Sequence, residues 1–118
     1  MARSRKPVAV RMGLVHADLP SDDWQDIRNG ALTAREADYC IWSVDRYQLK
    51  YTGHVRNVRA VVHGHMTLAC METLGNAYFI DTNGGGGAHG HFTFLELDTL
   101  KAWRGPGGEL VKVSKRYR

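Results

Sequence analysis

Residues 58–66 read Val-Arg-Ala-Val-Val-His-Gly-His-Met. Val58 to His63 is an apolar, β-branched run of strand length, and Gly64-His65 ends it, so it reads as a buried strand. Working outward, residues 8–15 (VAVRMGLV) read as a second strand. It runs into His16-Ala17-Asp18-Leu19-Pro20, where Pro20 ends the extended segment. Two helices fill the space between the strands. Ser21 is placed to cap the first, with Asp22 and Asp23 in its opening turn and Asn29-Gly30 as its stop. Thr33-x-x-Glu36 predicts a capping box for the second. Ala34, Ala37, Ile41, Val44 and Gln48 share one stripe, which carries that helix to about Leu49 or Lys50.

Downstream, Gly53-His54 opens a loop, and residues 67–74 and 77–81 pair as strands across Gly75-Asn76. Gly84 to Gly87 is a glycine loop. Residues 91–97 (HFTFLEL) alternate as a strand, Arg104 to Gly108 is a Gly/Pro turn, and Leu110 to Val113 make a last strand. The order predicts an α+β fold, a mixed sheet with helices on one side.

The 118 residues make a single domain, 1–118, with 43% apolar and 24% charged side chains, enough to build a core. No apolar stretch reaches transmembrane length, and no signal-peptide run follows the basic start. Cys40 and Cys70 make no disulfide framework, so a cytoplasmic location is expected. The net charge of +4 sits largely at the ends, in Arg3, Arg5 and Lys6 and in Lys112, Lys115, Arg116 and Arg118. Such ends can touch polyanions, but no aromatic residues interleave with them, so nucleic acid ranks last among partners.

Histidine carries the chemical signal. His63-x-His65 and His89-x-His91 are pairs whose side chains would share a face on an extended strand and could converge on a metal. His16 and His65 each stand where a predicted strand gives way to a loop, the edge at which α/β sheets gather ligands. The glycine loop could cradle a phosphate through its amides, though no Gly-Lys-Ser/Thr follows. Asp81, before that loop, could bind a ligand or orient a histidine. Neither cysteine has the surroundings of a nucleophile.

Several of these pieces together resemble a known family. Val15-His16-Ala17-Asp18-Leu19-Pro20, Ile41-Trp42-Ser43 with Arg46, Val61-Val62-His63-Gly64-His65-Met66, Asn76 to Thr82 (NAYFIDT) and the strand from His91 to Leu97 occur in the order and spacing of the calcineurin-like metallophosphoesterases. The bacterial and phage serine/threonine protein phosphatases are the members most resembled. The resemblance runs from about Lys6 to Leu100. It implies the second half of a four-layer αββα domain and hydrolysis of phosphate monoesters of the phosphoprotein type.

It also implies a divalent metal, manganese first, iron or zinc otherwise, that activates a water for attack on phosphorus. His16 and His65 would be ligands of one metal, while Asp18, His63 and Asp81 would stand behind them. Val44 occupies the place of the family's phosphate-gripping arginine, so the catalytic set is undetermined and Arg46 is the alternative phosphate contact. The family's Asp-x-His, Gly-Asp-x-x-Asp-Arg and Gly-Asn-His motifs are absent from this sequence.

Three readings follow. The first is an incomplete phosphatase domain, from a start inside a longer frame, weak or inactive alone and self-associating as a homodimer or swapped oligomer. The second is a non-catalytic binding or assembly module that pairs with a chain carrying the missing motifs or binds a phosphorylated partner. The third is a small nucleic-acid binder.

Overall fold

A computed structural model describes residues 11–86, 88 and 90–111. Its elements run β1 (Met12–Val15), α1 (Trp24–Arg28), α2 (Ala34–Trp42), α3 (Asp45–Gln48), β2 (Ala60–His63), β3 (Glu72–Leu74), β4 (Ala77–Phe79), β5 (Phe92–Leu95), β6 (Ala102–Gly105) and β7 (Glu109–Val111). The fold is α+β. The predicted single sheet is two. One is mixed, in the order β1-β2-β4-β3, and the other is an antiparallel meander, β5-β6-β7. β1, β2 and β4 are parallel, and β3 closes the edge antiparallel to β4. A parallel pair needs a long crossover, and the three helices between β1 and β2 supply it.

All four residues of β2 are buried. Gly13, Val61 and Ala77 are register partners across three strands, as are Val15, His63 and Phe79, so these side chains share one face. Two apolar clusters cover that face. Leu68, Leu74, Ala77 and Phe79 receive Tyr47 from α3, while Leu19, Val55 and Val61 receive Trp24 and Ile27 from α1. Gly13 is required there, because a Cβ on it would stand 2.7 Å from the Trp24 ring. Gly75 turns the β3–β4 hairpin at φ +58°, and a Cβ would meet the Thr52 carbonyl at 2.7 Å. Beside it the Asn76 amide accepts from Val55 N at 2.8 Å and donates to Val55 O at 2.9 Å, fixing the buried middle of the loop before β2.

The structure corrects several boundaries. Asp23, not Ser21, caps α1 by accepting from Gln25 N. The Thr33–Glu36 capping box forms as expected. The long helix does not continue to Lys50. It stops at Ser43, whose ψ is 143°, and restarts at Asp45. The cause is Asp18, whose carboxylate accepts from Ser43 Oγ at 3.3 Å, from Arg46 N at 3.0 Å and from Arg46 Nε at 3.2 Å. The expected apolar stripe is not buried: no residue of α2 is, and Ile41 is 44% exposed. Residues 67–71 form a loop, so β3 is shorter than expected. Arg104 and Gly105 belong to β6 rather than to the turn. The expected strand residues 8–10 and 112–113 lie outside the described residues.

Asp18 is 1% exposed and Arg46 6%. Removing one charge from a buried pair leaves the other unsatisfied, at about 3 kcal/mol or more. Asp18→Asn should therefore lower the urea midpoint by an amount equivalent to about 3 kcal/mol, while Asp38→Asn, exposed on α2, should move it by less than about 0.5 kcal/mol. Equal shifts for the two variants would show that Asp18 does not pin the helix break.

Candidate functional site

The parallel register decides where the histidines meet. Val15 lies opposite His63, so β1 and β2 leave the sheet at the same edge, one residue after the other. Gly64 N–H donates to the His16 carbonyl at 2.9 Å, locking the two exits together. His65 then takes a left-handed backbone, φ +63°, so the sharp bend falls on His65 itself rather than on the neighbouring Gly64. A non-glycine residue in that region carries strain that its surroundings must hold. The outcome is two imidazoles from different strands with centroids 5.1 Å apart and planes tilted by 52°. His16 is exposed and His65 half-buried. The Trp42 indole meets His65 edge-on at 5.8 Å from the end of α2 while remaining 67% exposed.

Beneath them His63 is fully buried. Its ring stacks on Phe79 at 4.6 Å, and Nδ1 donates to the Ala17 carbonyl at 2.9 Å. This bond ties the strand under His65 to the turn after His16. With Nδ1 carrying the proton, Nε2 is a bare acceptor, and it has no hydrogen-bond partner among the described residues. Burial pushes the His63 pKa below its ordinary value, against the opposing pull of the Ala17 bond and of Asp18.

Asp18 does not reach the histidines through a hydrogen bond. Its carboxylate accepts from Leu19 N as well as from Ser43 and Arg46. Arg46, the alternative phosphate contact, is drawn inward by the same network. Its Nη2 donates to Asp22 at 2.8 Å, and its guanidinium lies 5.0 Å from the Tyr51 ring centroid. Burial raises the Asp22 carboxyl, but hydrogen bonds from Tyr51 and Arg46 outweigh it and hold the pKa below the usual value. Asp81 leaves β4 at the edge used by His16 and His65, but its Oδ1 accepts from Asn83 N in a local turn. In the glycine loop, the Gly86 N–H donates to the Asn83 carbonyl. His91 is buried elsewhere, beside β6, and its expected mate His89 lies outside the described residues.

The strand-end positions of His16 and His65 were legible in the sequence, and Trp42 stood in a resembled segment, but its edge-on contact with His65 was not readable. Two imidazoles suit iron or zinc as donors, whereas manganese favours oxygen ligands beside them. Two are fewer than the three protein ligands of even an open catalytic zinc. Among the described residues no group of three His, Cys, Asp or Glu side chains could hold a metal ion. The donor chemistry therefore fits a divalent metal, and the donor count does not fit a complete centre on these residues. Among them, too, no helix is long and apolar enough to cross a membrane. No family model matches the chain, and no curated protein matches it.

A buried neutral histidine makes stability depend on pH. The unfolded chain takes up a proton as pH falls through about 6.5, and the native His63 does so only at lower pH. Unfolding free energy should be level above about pH 7 and decline below about pH 6.5, by at most about 1.4 kcal/mol per pH unit from this residue. His63→Asn keeps a donor for Ala17 and cannot titrate. Urea titrations between about pH 6.5 and 5 should show a shallower decline in the variant. Identical slopes would mean that His63 takes up its proton over the same pH range in the native and unfolded states, and a steeper decline in the variant that the native state holds the proton more tightly.

Proposed function

We propose that this chain is a metallophosphoesterase-type half domain that contributes a two-histidine arm, His16 and His65, to a divalent metal serving phosphate-monoester hydrolysis. The observation that supports this most directly is the meeting of the two imidazoles at 5.1 Å from the exits of adjacent parallel strands. The ordered motif resemblance supplies the class of chemistry. Manganese is the favoured ion and a phosphorylated protein or small phosphoester the substrate class. A metal held there would polarise a phosphate oxygen and acidify a bound water. The chain's own part is to hold two ring nitrogens in place, through the Gly64–His16 bond, the His63–Ala17 bond and the Trp42 contact.

In this reading the remaining donors come from another polypeptide, a chain that carries the absent motifs. The second reading, a module without turnover of its own, is favoured by Arg46. Its guanidinium is paired with Asp18 and Asp22 and 5% exposed, so a phosphate would have to compete with two carboxylates for it.

Manganese added below stoichiometry should broaden the ring signals of His16 and His65 in an NMR spectrum, and His65→Ala should abolish the broadening at His16. The chain alone should hydrolyse an aryl phosphate with manganese no faster than His65→Ala does. Absence of broadening at both rings would overturn the metal arm. Turnover lost in His65→Ala would show that the chain completes a centre by itself or across a self-assembled pair, and the half-domain reading would be wrong.

A further inference from the structure

Two Asn-Gly pairs stand in the chain, Asn29-Gly30 and Asn83-Gly84. The side-chain amide carbon of an asparagine can be attacked by the backbone nitrogen of the next residue. A following glycine favours the attack, because it has no Cβ to block the approach and leaves the backbone free to turn. By sequence the two pairs are equivalent. The fold separates them.

Asn29 closes α1. Its N–H donates to the Gln25 carbonyl at 3.0 Å, and the Gly30 N–H donates to the Ile27 carbonyl at 3.2 Å. The nitrogen that would attack is thus committed to a hydrogen bond that must break first. Asn83 has no such protection. It is exposed, in a loop, at φ +60°, a conformation that asparagine tolerates. Its carbonyl accepts from Gly86 N at 2.8 Å, so residues 83–86 form a turn with Gly84 at the first corner. The Gly84 N–H donates to nothing among the described residues. The Asn83 side-chain amide has no hydrogen bond among them either, and it lies folded over its own turn, where a Cβ on Gly86 would collide with Cγ and Nδ2. The space beside Gly85 is open, so the loop has room to bring Cγ onto the Gly84 nitrogen.

We propose that Asn83 is a site of spontaneous deamidation and that α1 protects Asn29 from the same reaction. The Gly84 nitrogen gives its proton to solvent and bonds to Asn83 Cγ. The Cγ–Nδ2 bond breaks, and Nδ2 leaves as ammonia with a proton taken from solvent. Solvent water then opens the cyclic imide at one of its two carbonyls, giving aspartate or isoaspartate, with no change of oxidation state. Either product adds a carboxylate two residues from Asp81, whose own carboxylate accepts from Asn83 N. Isoaspartate also routes the main chain through the former side-chain methylene. That lengthens the turn holding Gly84 against the Phe92 ring. The glycine loop is then a place where the chain changes charge and shape with age, whatever the His16–His65 edge binds.

The test stores the whole chain at neutral pH, native and unfolded in urea, and digests samples over time. Fragment mass spectra locate each exchange of amide for carboxyl, and an isoaspartyl methyltransferase counts the isoaspartate. In the native chain Asn83 should convert faster than Asn29 by about 5-fold or more, the effect of one hydrogen bond on the attacking nitrogen. In urea the two rates should converge. Asn83→Gln should leave position 83 unmodified and the Asn29 rate unchanged. Equal native rates, a faster Asn29, or an unmodified Asn83 over a period that converts the unfolded chain would each overturn the proposal. So would a preference for Asn83 that persists undiminished in urea, because the bias would then belong to the local sequence and not to the fold.

Discussion

The parallel pairing of β1 with β2, Val15 opposite His63, is the constraint on which the rest depends. Parallel strands leave a sheet at the same edge. Hence the residue after Val15 and the residues after His63 share a border, although roughly fifty positions of sequence separate them. Register is strict where a face is buried, because a slip by one residue would turn Val61 and His63 out of the core. The same slip would remove the Gly64–His16 bond and the His63–Ala17 bond. Core packing and the meeting of the two exposed-edge imidazoles are thus one requirement met by one register.

What was legible in the sequence was what is local. Thr33 and Glu36 satisfy each other within one turn, so their capping box could be read directly. The buried run ending at His63 was equally plain, because apolar residues on both faces leave few alternatives. The helix break at Ser43 was not readable, because the residue that imposes it is Asp18, 25 positions away. Helical periodicity continued through Val44 and Gln48, and a buried carboxylate overrode it by taking both the Ser43 hydroxyl and the Arg46 amide. The second sheet was missed for a related reason. Arg104 and Gly105 look like turn residues, yet the turn begins at Pro106, and pairing with Phe92 and Thr93 makes them strand.

The site divides in the same way. His16 and His65 could be picked out because each follows a strand. The resemblance gave Asp18 and Asp81 supporting places, and each carboxylate is engaged elsewhere in the structure. Asp18 holds α3 against the turn after β1, and Asp81 closes its own turn through Asn83. His63 gives its Nδ1 to the Ala17 carbonyl rather than to either imidazole.

Arg46 shows how fold and chemistry compete for one side chain. A phosphate-gripping arginine must keep its planar fork free for an oxyanion. Here Nε is given to Asp18 and Nη2 to Asp22, while the guanidinium lies over Tyr51. Releasing it would leave Asp18, 1% exposed, as an uncompensated buried charge. That cost exceeds what a single surface contact with phosphate returns, so Arg46 stays in its network. Any grip on phosphate at the His16–His65 edge must then come from groups other than Arg46.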